Sequence, residues 1–288
     1  MNKNITLAKH SGFCYGVKRA VDTVKKLKLE NPEKEICIYG ELIHNSHVIE
    51  ELETLGIKTI YEIPEHAEGI CVIRSHGASP EIFEKLKNAG FEIVDLTCPD
   101  VKKVQQKAIE IVQAGYYLII VGKAEHPEVM AIYANAKQFG QDISVINSVD
   151  QLKDLEETLK SHKKVGVVVQ TTQRLSALNE IVTALTPLAK ELLIANTICP
   201  STSRRQQEAR ELAQKTDLMV VVGSKKSANT THLAEILDKI TKTVHIEDES
   251  ELDSEIINQY EEIGITAGAS TPDNIINNVV EKIKGKGE

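Results

Sequence analysis

The chain has 288 residues, 41% of them hydrophobic and 26% charged, with no Trp and a formal net charge of −8. This is the composition of a folded soluble protein whose core is built from Ile, Val, Leu and Ala, with length for two or three small domains. The acidic balance excludes a non-specific nucleic-acid binder, which needs a strong basic field, and no apolar run approaches the roughly 20 residues that span a bilayer.

The chain opens Met1-Asn2-Lys3-Asn4 and runs directly into an apolar stretch beginning at Ile5. No secretory leader is expected, and the cytoplasm is the expected location. The stretch ends at Cys14, and a helix is expected to begin within Gly16–Lys18. A strand ending in glycine follows, ICIYG at Gly40, then the polar loop and helix ELIHNSHVIEEL. A short β-like stretch with an acidic turn (IKTIYEIPE) leads to a last strand, loop and helix, GICVIRSHGASPEIF.

The same succession recurs twice, as an internal repeat weak in identity. From Phe91–Cys98 the chain reads a helix, LIIVG at Gly122, KAEHPEVMAIYAN, ISVINSVDQL and VGVVVQTTQRLSALNEIV. From Leu192–Cys199 it reads a helix, MVVVG at Gly223, SKKSANTTHLAEIL, KTVHIEDESEL and IGITAGASTPDNIINNVV. The strands are continuous β-branched runs, which suits strands buried on both faces of a parallel sheet. The expected fold is α/β: three pseudo-threefold-related units, each with a mostly parallel sheet of about four strands flanked by helices, around a central site. The expected units are residues 1–96, 97–193 and 194–288, the last joined by the N-terminal strand. Ligands of parallel sheets bind at the carboxyl ends of strands, so the cysteine, glycine and Ser/Thr loops are expected to share one place.

Five cysteines, an odd count, in a chain for which no leader is expected argue against a disulfide framework. Cys98 and Cys199 each precede a proline, Pro99 and Pro200, which favours the first position of a helix. A thiol at a helix N-terminus is biased toward the thiolate, the metal-binding form. Cys14, Cys98 and Cys199 fall in register and are read as metal ligands. Cys37 and Cys71 lie inside strand patterns and are read as core. Three thiolates suit either a zinc site with an open fourth position or an iron–sulfur cluster with one iron free, and spacing does not decide between them.

His44, His76 and His126 lie in strand-to-helix loops and suit an anion site. His10, His47, His66, His162, His232 and His245 read as ordinary surface or loop residues. Ser224–Asn229 and Ala267–Thr271 are small, polar loops able to approach a phosphate, or to cap helices. Thr171 and Thr172 occupy the matching loop of the second unit. Glu128, near a helix start, is the one acidic candidate among these loops and suits a proton donor. Each cysteine-bearing helix carries a basic pair, Lys18-Arg19, Lys102-Lys103 and Arg204-Arg205, read either as a solvated face or as a rim that docks an acidic electron donor.

Over nearly its whole length the chain resembles the 4-hydroxy-3-methylbut-2-enyl diphosphate reductase family. The resemblance rests on HSGFCYGVKRAV, YGELIHN, IRSHG, DLTCPDVKKV, GKAEHPEV, QTTQ, NTICPSTSRRQ, GSKKSANT and TAGASTPD, in that order. It implies an oxygen-sensitive iron–sulfur oxidoreductase of the non-mevalonate isoprenoid pathway. By the family's motifs, a 4Fe-4S cluster is held by Cys14, Cys98 and Cys199, with one open iron for the substrate hydroxyl. Two electrons and protons then remove that hydroxyl as water, giving isopentenyl and dimethylallyl diphosphates. The resemblance places the diphosphate on His44, His76, His126, Ser227, Asn229 and Ser270, makes Glu128 the proton-delivering residue with His126 beside it, and sets Thr171 near the hydroxyl. Where the family commonly has Ser-Ser-Asn, this chain has Ser227-Ala228-Asn229, so Ala228 can offer only its backbone N–H. Ferredoxin or flavodoxin is the implied electron donor. Oligomeric state and product ratio are not read from the sequence.

Overall fold

The computed structural model describes residues 3–285; Met1 and Asn2, on which the reading of the N-terminus partly rests, lie outside them. The elements alternate. In chain order they are β1 (Asn4–Leu7), α1 (Tyr15–Glu30), β2 (Ile36–Tyr39), α2 (Ser46–Thr54), β3 (Ile57–Ile60), β4 (Ile70–Ile73), α3 (Pro80–Ala89) and β5 (Glu92–Asp95). Then come α4 (Pro99–Gln113), β6 (Tyr117–Val121), α5 (Pro127–Lys137), β7 (Ile143–Ile146), α6 (Glu156–His162), β8 (Lys164–Val169), α7 (Leu175–Leu185) and β9 (Glu191–Ile194). The last third holds α8 (Pro200–Ala213), β10 (Leu218–Val222), α9 (Ala228–Leu237), β11 (Lys242–Ile246), α10 (Ser254–Ile257), β12 (Glu262–Ala267) and α11 (Asp273–Ile283).

The strands form three all-parallel, four-stranded sheets, ordered β3-β2-β4-β5, β7-β6-β8-β9 and β11-β10-β12-β1. The α/β fold with three such sheets is the one expected from the strand patterns. In the third sheet the outer place beside β12 is filled by the N-terminal strand, with Asn4 opposite Glu262 and Leu7 opposite Ile265. The register also repeats. The glycine ending each first strand donates its N–H to the last residue of the next: Gly40 to Ile60, Gly122 to Ile146, and Gly223 to Ile246, each at 2.8 Å.

Burial explains why the strands carry no alternation. Every residue of β4, β6 and β10 is buried, because helices cover both faces of a parallel sheet. By its contacts the chain divides into two compact units. One comprises Met1–Val21, Ile43–Leu52 and Pro200–Glu288, and contains the β10–β12 sheet with β1. Its core packs Val220, Val222, Ile263 and Ile265 against Ile276 and Val279 on one face, and Val221 against Leu233 and Leu237 on the other. The other unit comprises Asp22–Leu42 and Glu53–Cys199 and contains the remaining two sheets. Ile119, Val167 and Leu178 pack on one side of its larger core, and Leu118, Ile120 and Ile132 on the other. Fully burying one such side chain is worth about 1.5–3 kcal/mol. Cys37 and Cys71 face each other in register on β2 and β4 and pack against Ile73 and Leu86, the core role expected of them.

At Gly69 the backbone admits no side chain. Gly69 has φ +101°, and a Cβ there would stand 2.3 Å from the Glu35 carbonyl oxygen, which accepts from Ile70 N–H. Gly69→Ala is therefore expected to lower stability by about 2 kcal/mol or more, read as a lower urea midpoint with unchanged slope.

Candidate functional site

The three cysteines first marked by the repeat sit in equivalent places. Each immediately precedes a helix: Cys14 before Tyr15, Cys98 before Pro99, Cys199 before Pro200. Each donates its backbone N–H to the second residue beyond a neighbouring strand. Cys14 bonds the Ala269 carbonyl (3.1 Å), Cys98 that of Ser75 (2.9 Å), and Cys199 that of Thr171 (3.1 Å). Proline at the first helical position costs no hydrogen bond, since that N–H has no partner within a helix. None of the five cysteines is in a disulfide; Cys14, Cys98 and Cys199 are half-buried, whereas Cys37 and Cys71 are buried. The Val17 N–H points at the Cys14 sulfur at 3.5 Å. Each of the three thiols stands at a helix start, half-buried, and a cysteine so placed can serve as a metal ligand.

In the unit holding Cys98 and Cys199, His126 is the N-cap of α5, and its Nδ1 accepts the Glu128 N–H at 3.2 Å. That bond leaves Nε2 as the atom able to carry a proton in the neutral ring. The His76 ring meets the His126 ring edge to face, 5.4 Å between centroids. Glu128 is 1% exposed. Its Oε1 accepts the Thr171 N–H (2.6 Å) and its Oε2 accepts the Thr171 hydroxyl (2.8 Å). Burial pushes this carboxyl up from 4.5 to about 7, against the two Thr171 hydrogen bonds that favour the anion. Thr171 thus bonds Glu128 through its N–H and hydroxyl and Cys199 through its carbonyl. A carboxyl poised near neutrality and one residue away from a thiol loop is equipped to move a proton.

In the unit holding Cys14, Ser227 is the N-cap of α9, its Oγ accepting the Thr230 N–H at 3.5 Å. Ala228 and Asn229 open that helix and are buried. Asn229 is 4% exposed, and its Nδ2 finds no acceptor among the described residues. An orphaned buried amide costs free energy unless a ligand accepts from it. Ser270 donates its hydroxyl to the His44 carbonyl at 3.2 Å. In this unit the structure brings together the Cys14 loop, His44 and the Ala267–Thr271 loop.

Some expectations need correction. His232 is not a surface residue: it lies in α9 at 4% exposure. His245 is not a loop residue either. It lies in β11, half-buried, with Nε2 2.8 Å from the Gly223 carbonyl, and burial pulls its pKa down. The basic pairs are unequal. Lys102 pairs with Asp95 (2.6 Å) and Lys103 with Asp100 (3.2 Å), while Arg205 is 3% exposed and turned into the protein. Arg205 therefore belongs to no exposed rim, because α8 packs its face against the β12 side of the sheet.

Other residues were not singled out by sequence. Gln170, fully buried, accepts the Lys123 N–H (3.2 Å) and donates to the Thr172 hydroxyl (3.1 Å), joining the α5 loop to the Thr171 loop. Gly122 lies so close that a Cβ would stand 2.8 Å from the Gln170 Oε1. The polar run QTTQ at a strand end was the available signal.

Comparison with known proteins gives the family and the fold. A family model described as LytB protein matches residues 5–284. A 4-hydroxy-3-methylbut-2-enyl diphosphate reductase of Caldanaerobacter subterraneus is 41% identical over 99% of the chain and 98% of its own length. One from Clostridium tetani is 42% identical over 98% of the chain, which spans 44% of that longer protein. The solved structure of (E)-4-hydroxy-3-methyl-but-2-enyl diphosphate reductase, there called the terminal enzyme of the non-mevalonate pathway, superposes with a TM-score of 0.73 at 37% identity. It covers 98% of this chain and 99% of that one.

Proposed function

The chain belongs to the LytB protein family, and on that premise we propose that it removes the hydroxyl of 4-hydroxy-3-methylbut-2-enyl diphosphate by reduction. The products are isopentenyl and dimethylallyl diphosphates, the last step of the non-mevalonate isoprenoid pathway. The observation that carries the assignment is Glu128, a buried carboxyl with a pKa near 7, held by Thr171 beside the backbone of Cys199.

In this reading Cys14, Cys98 and Cys199 hold a 4Fe-4S cluster with one open iron. Such a cluster, when bound, would supply a site for the substrate hydroxyl and the reducing electrons, drawn from a ferredoxin or flavodoxin. The remaining work belongs to the chain. Glu128 holds the proton that leaves with the hydroxyl as water. Thr171 fixes the carboxyl through two hydrogen bonds and faces the substrate end of the site. His126 takes its orientation from the Glu128 N–H, which keeps Nε2 available toward phosphate. The diphosphate is bound by His44, His76, His126, Ser227, Asn229 and Ser270, with the Ala228 N–H as a backbone donor. The orphaned Nδ2 of Asn229 supports this, since a phosphate oxygen would satisfy it. The three repeats, residues 1–96, 97–193 and 194–288, would each contribute one of these cysteines. No described helix is long and apolar enough to cross a membrane.

Anaerobic purification tests the assignment. The expected protein is brown, carries roughly four irons per chain, and consumes the allylic diphosphate with a one-electron donor. A colourless protein with one zinc that hydrolyses phosphate esters would replace the reductase with a hydrolase. A metal-free protein that still binds diphosphate would reduce it to a binding module.

The Glu128 pKa gives a second expectation. A carboxyl that must deliver a proton is competent below its pKa, so kcat should fall as pH rises through about 7. The same shift acts on stability. The folded form holds this proton more tightly than the unfolded chain, so its contribution is complete below about 4.5 and is lost as pH rises to about 7. A kcat flat from pH 6 to 9, measured with the electron donor in excess, would remove Glu128 from the proton step.

A further inference from the structure

The loop that carries Cys14 has no regular structure between the end of β1 at Leu7 and the start of α1 at Tyr15, yet it is tied down almost residue by residue. Ala8 N–H donates to the Ile265 carbonyl at 2.8 Å, and the Ser11 hydroxyl to the Ala8 carbonyl at 2.7 Å. The Cys14 N–H donates to the Ala269 carbonyl at 3.1 Å, and further ties come from two residues of α8. The Glu208 carboxylate accepts the N–H groups of Lys9 and His10, both at 2.7 Å, and the His10 Nδ1 lies 2.8 Å away. The Arg205 guanidinium donates from one nitrogen to the Gly12 carbonyl (2.8 Å) and from the other to the Ala267 carbonyl (2.6 Å).

Arg205 and Glu208 stand three residues apart, on one face of α8. Their charges are matched to the loop: an anion takes its N–H groups and a cation takes its carbonyl. Arg205 at 3% exposure is a desolvated cation, a costly arrangement unless its donors are well used. Its fork spans two separate segments: the Cys14 loop at Gly12, and the strand end that leads into the Ala267–Thr271 loop. A lysine ammonium offers no such planar fork. Gly12 completes the fit. With φ +79°, its Cα faces Ile276 and the Asp273 Oδ1, each 3.0 Å from where a Cβ would stand.

We propose that Arg205 and Glu208 are positioning residues, a two-point clamp on α8 that holds the Cys14 thiol in register with the Ala267–Thr271 loop. The clamp rests on the assignment of Cys14 as a cluster ligand only for its purpose; its existence is separately testable. The helix that clamps the Cys14 loop begins directly after Cys199, so the chain segment that starts at one ligand also sets the backbone of another.

The experiment alkylates the full-length, cluster-free chain with iodoacetamide and follows each cysteine by peptide mass. In Arg205→Met, Cys14 should react about tenfold faster than in the wild type, because a charged hydrogen bond that closes the loop is lost. Cys98 and Cys199 should stay within about twofold of their wild-type rates, since the Arg205 and Glu208 hydrogen bonds given above go to the Cys14 loop and to Ala267. Glu208→Gln should act in the same direction with a smaller effect, and Arg205→Lys should recover only part of the protection. These two milder variants carry the test if Arg205→Met does not fold. An equal rise at all three cysteines, or no rise at Cys14, would overturn the clamp. Iron retention after anaerobic reconstitution separates the two readings. Faster cluster loss together with selective Cys14 alkylation supports both. Selective alkylation with unchanged iron retention upholds the clamp and counts against Cys14 as a ligand.

Discussion

Glu128→Gln is expected to lower kcat by about 10²–10⁴-fold, the range over which positioned acid–base groups contribute, while iron content and substrate Kd stay near wild type. The argument runs through geometry. The carboxyl is almost fully buried and receives two hydrogen bonds from Thr171 alone. Glutamine keeps the volume and presents one oxygen to those donors, so the loop that also bonds Cys199 should persist. What disappears is the exchangeable proton near neutral pH. The measurement is single-turnover conversion with reduced enzyme, alongside iron analysis and equilibrium binding of the allylic diphosphate. A variant that turns over at the wild-type rate would make Glu128 a residue of the helix N-terminus only. A variant that loses iron as well would show that its main work is to support the Thr171 loop. The Thr171→Val variant complements it: the hydroxyl bond is lost and the backbone N–H bond remains, so a smaller loss of kcat is expected.

The second large effect is at the cysteines. Cys98→Ser and Cys199→Ser are each expected to drop iron from roughly four per chain to less than one, with turnover lost in proportion. A serine hydroxyl is not deprotonated at neutral pH and is a poor ligand for a thiophilic iron. Cys37→Ala and Cys71→Ala supply the contrast. Those thiols are in the core between β2 and β4, so their removal should leave iron content unchanged and lower stability modestly through a small cavity. Anaerobic iron and sulfide analysis on all four variants decides the matter. Equal iron loss from the Cys37 and Cys71 variants would contradict the separation of ligands from core thiols.

Much of this was legible locally. The run MVVVG could be read as a buried strand because β-branched residues without alternation suit a sheet covered on both faces. Cys98-Pro99 and Cys199-Pro200 marked helix starts because proline fixes φ and lacks the N–H that a first-turn residue cannot use. The loop at His126 was identifiable as a helix start for the same reason, with Pro127 next, and Ser227 because serine is favoured at N-caps. His232 was misplaced because a histidine carries no periodic signal of its own. It lies in α9 among Asn229, Thr230 and Leu233, all of them buried, where polar residues mask the buried face.

Arg205 was misread for a stronger reason. Adjacent Arg204 and Arg205 look alike in sequence, yet a helix turns successive side chains about 100° apart, and only one of them faces inward. Its partners, Gly12 and Ala267, lie 193 and 62 positions away. Glu128, singled out by the sequence, likewise has its partner Thr171 43 positions along the chain, and β1, expected to join the third unit, pairs beside β12, 258 positions distant from Asn4 to Glu262. By itself, the sequence determined the order of strands and helices, the three equivalent cysteines and the polar loops that follow the strands, since these follow from backbone preference and burial period over a few residues. Only the tertiary structure decided which carboxyl is buried with a pKa near 7, which arginine is turned inward, and which helix holds the Cys14 loop. Those depend on desolvation and hydrogen bonds between segments far apart in the chain, which no local pattern encodes.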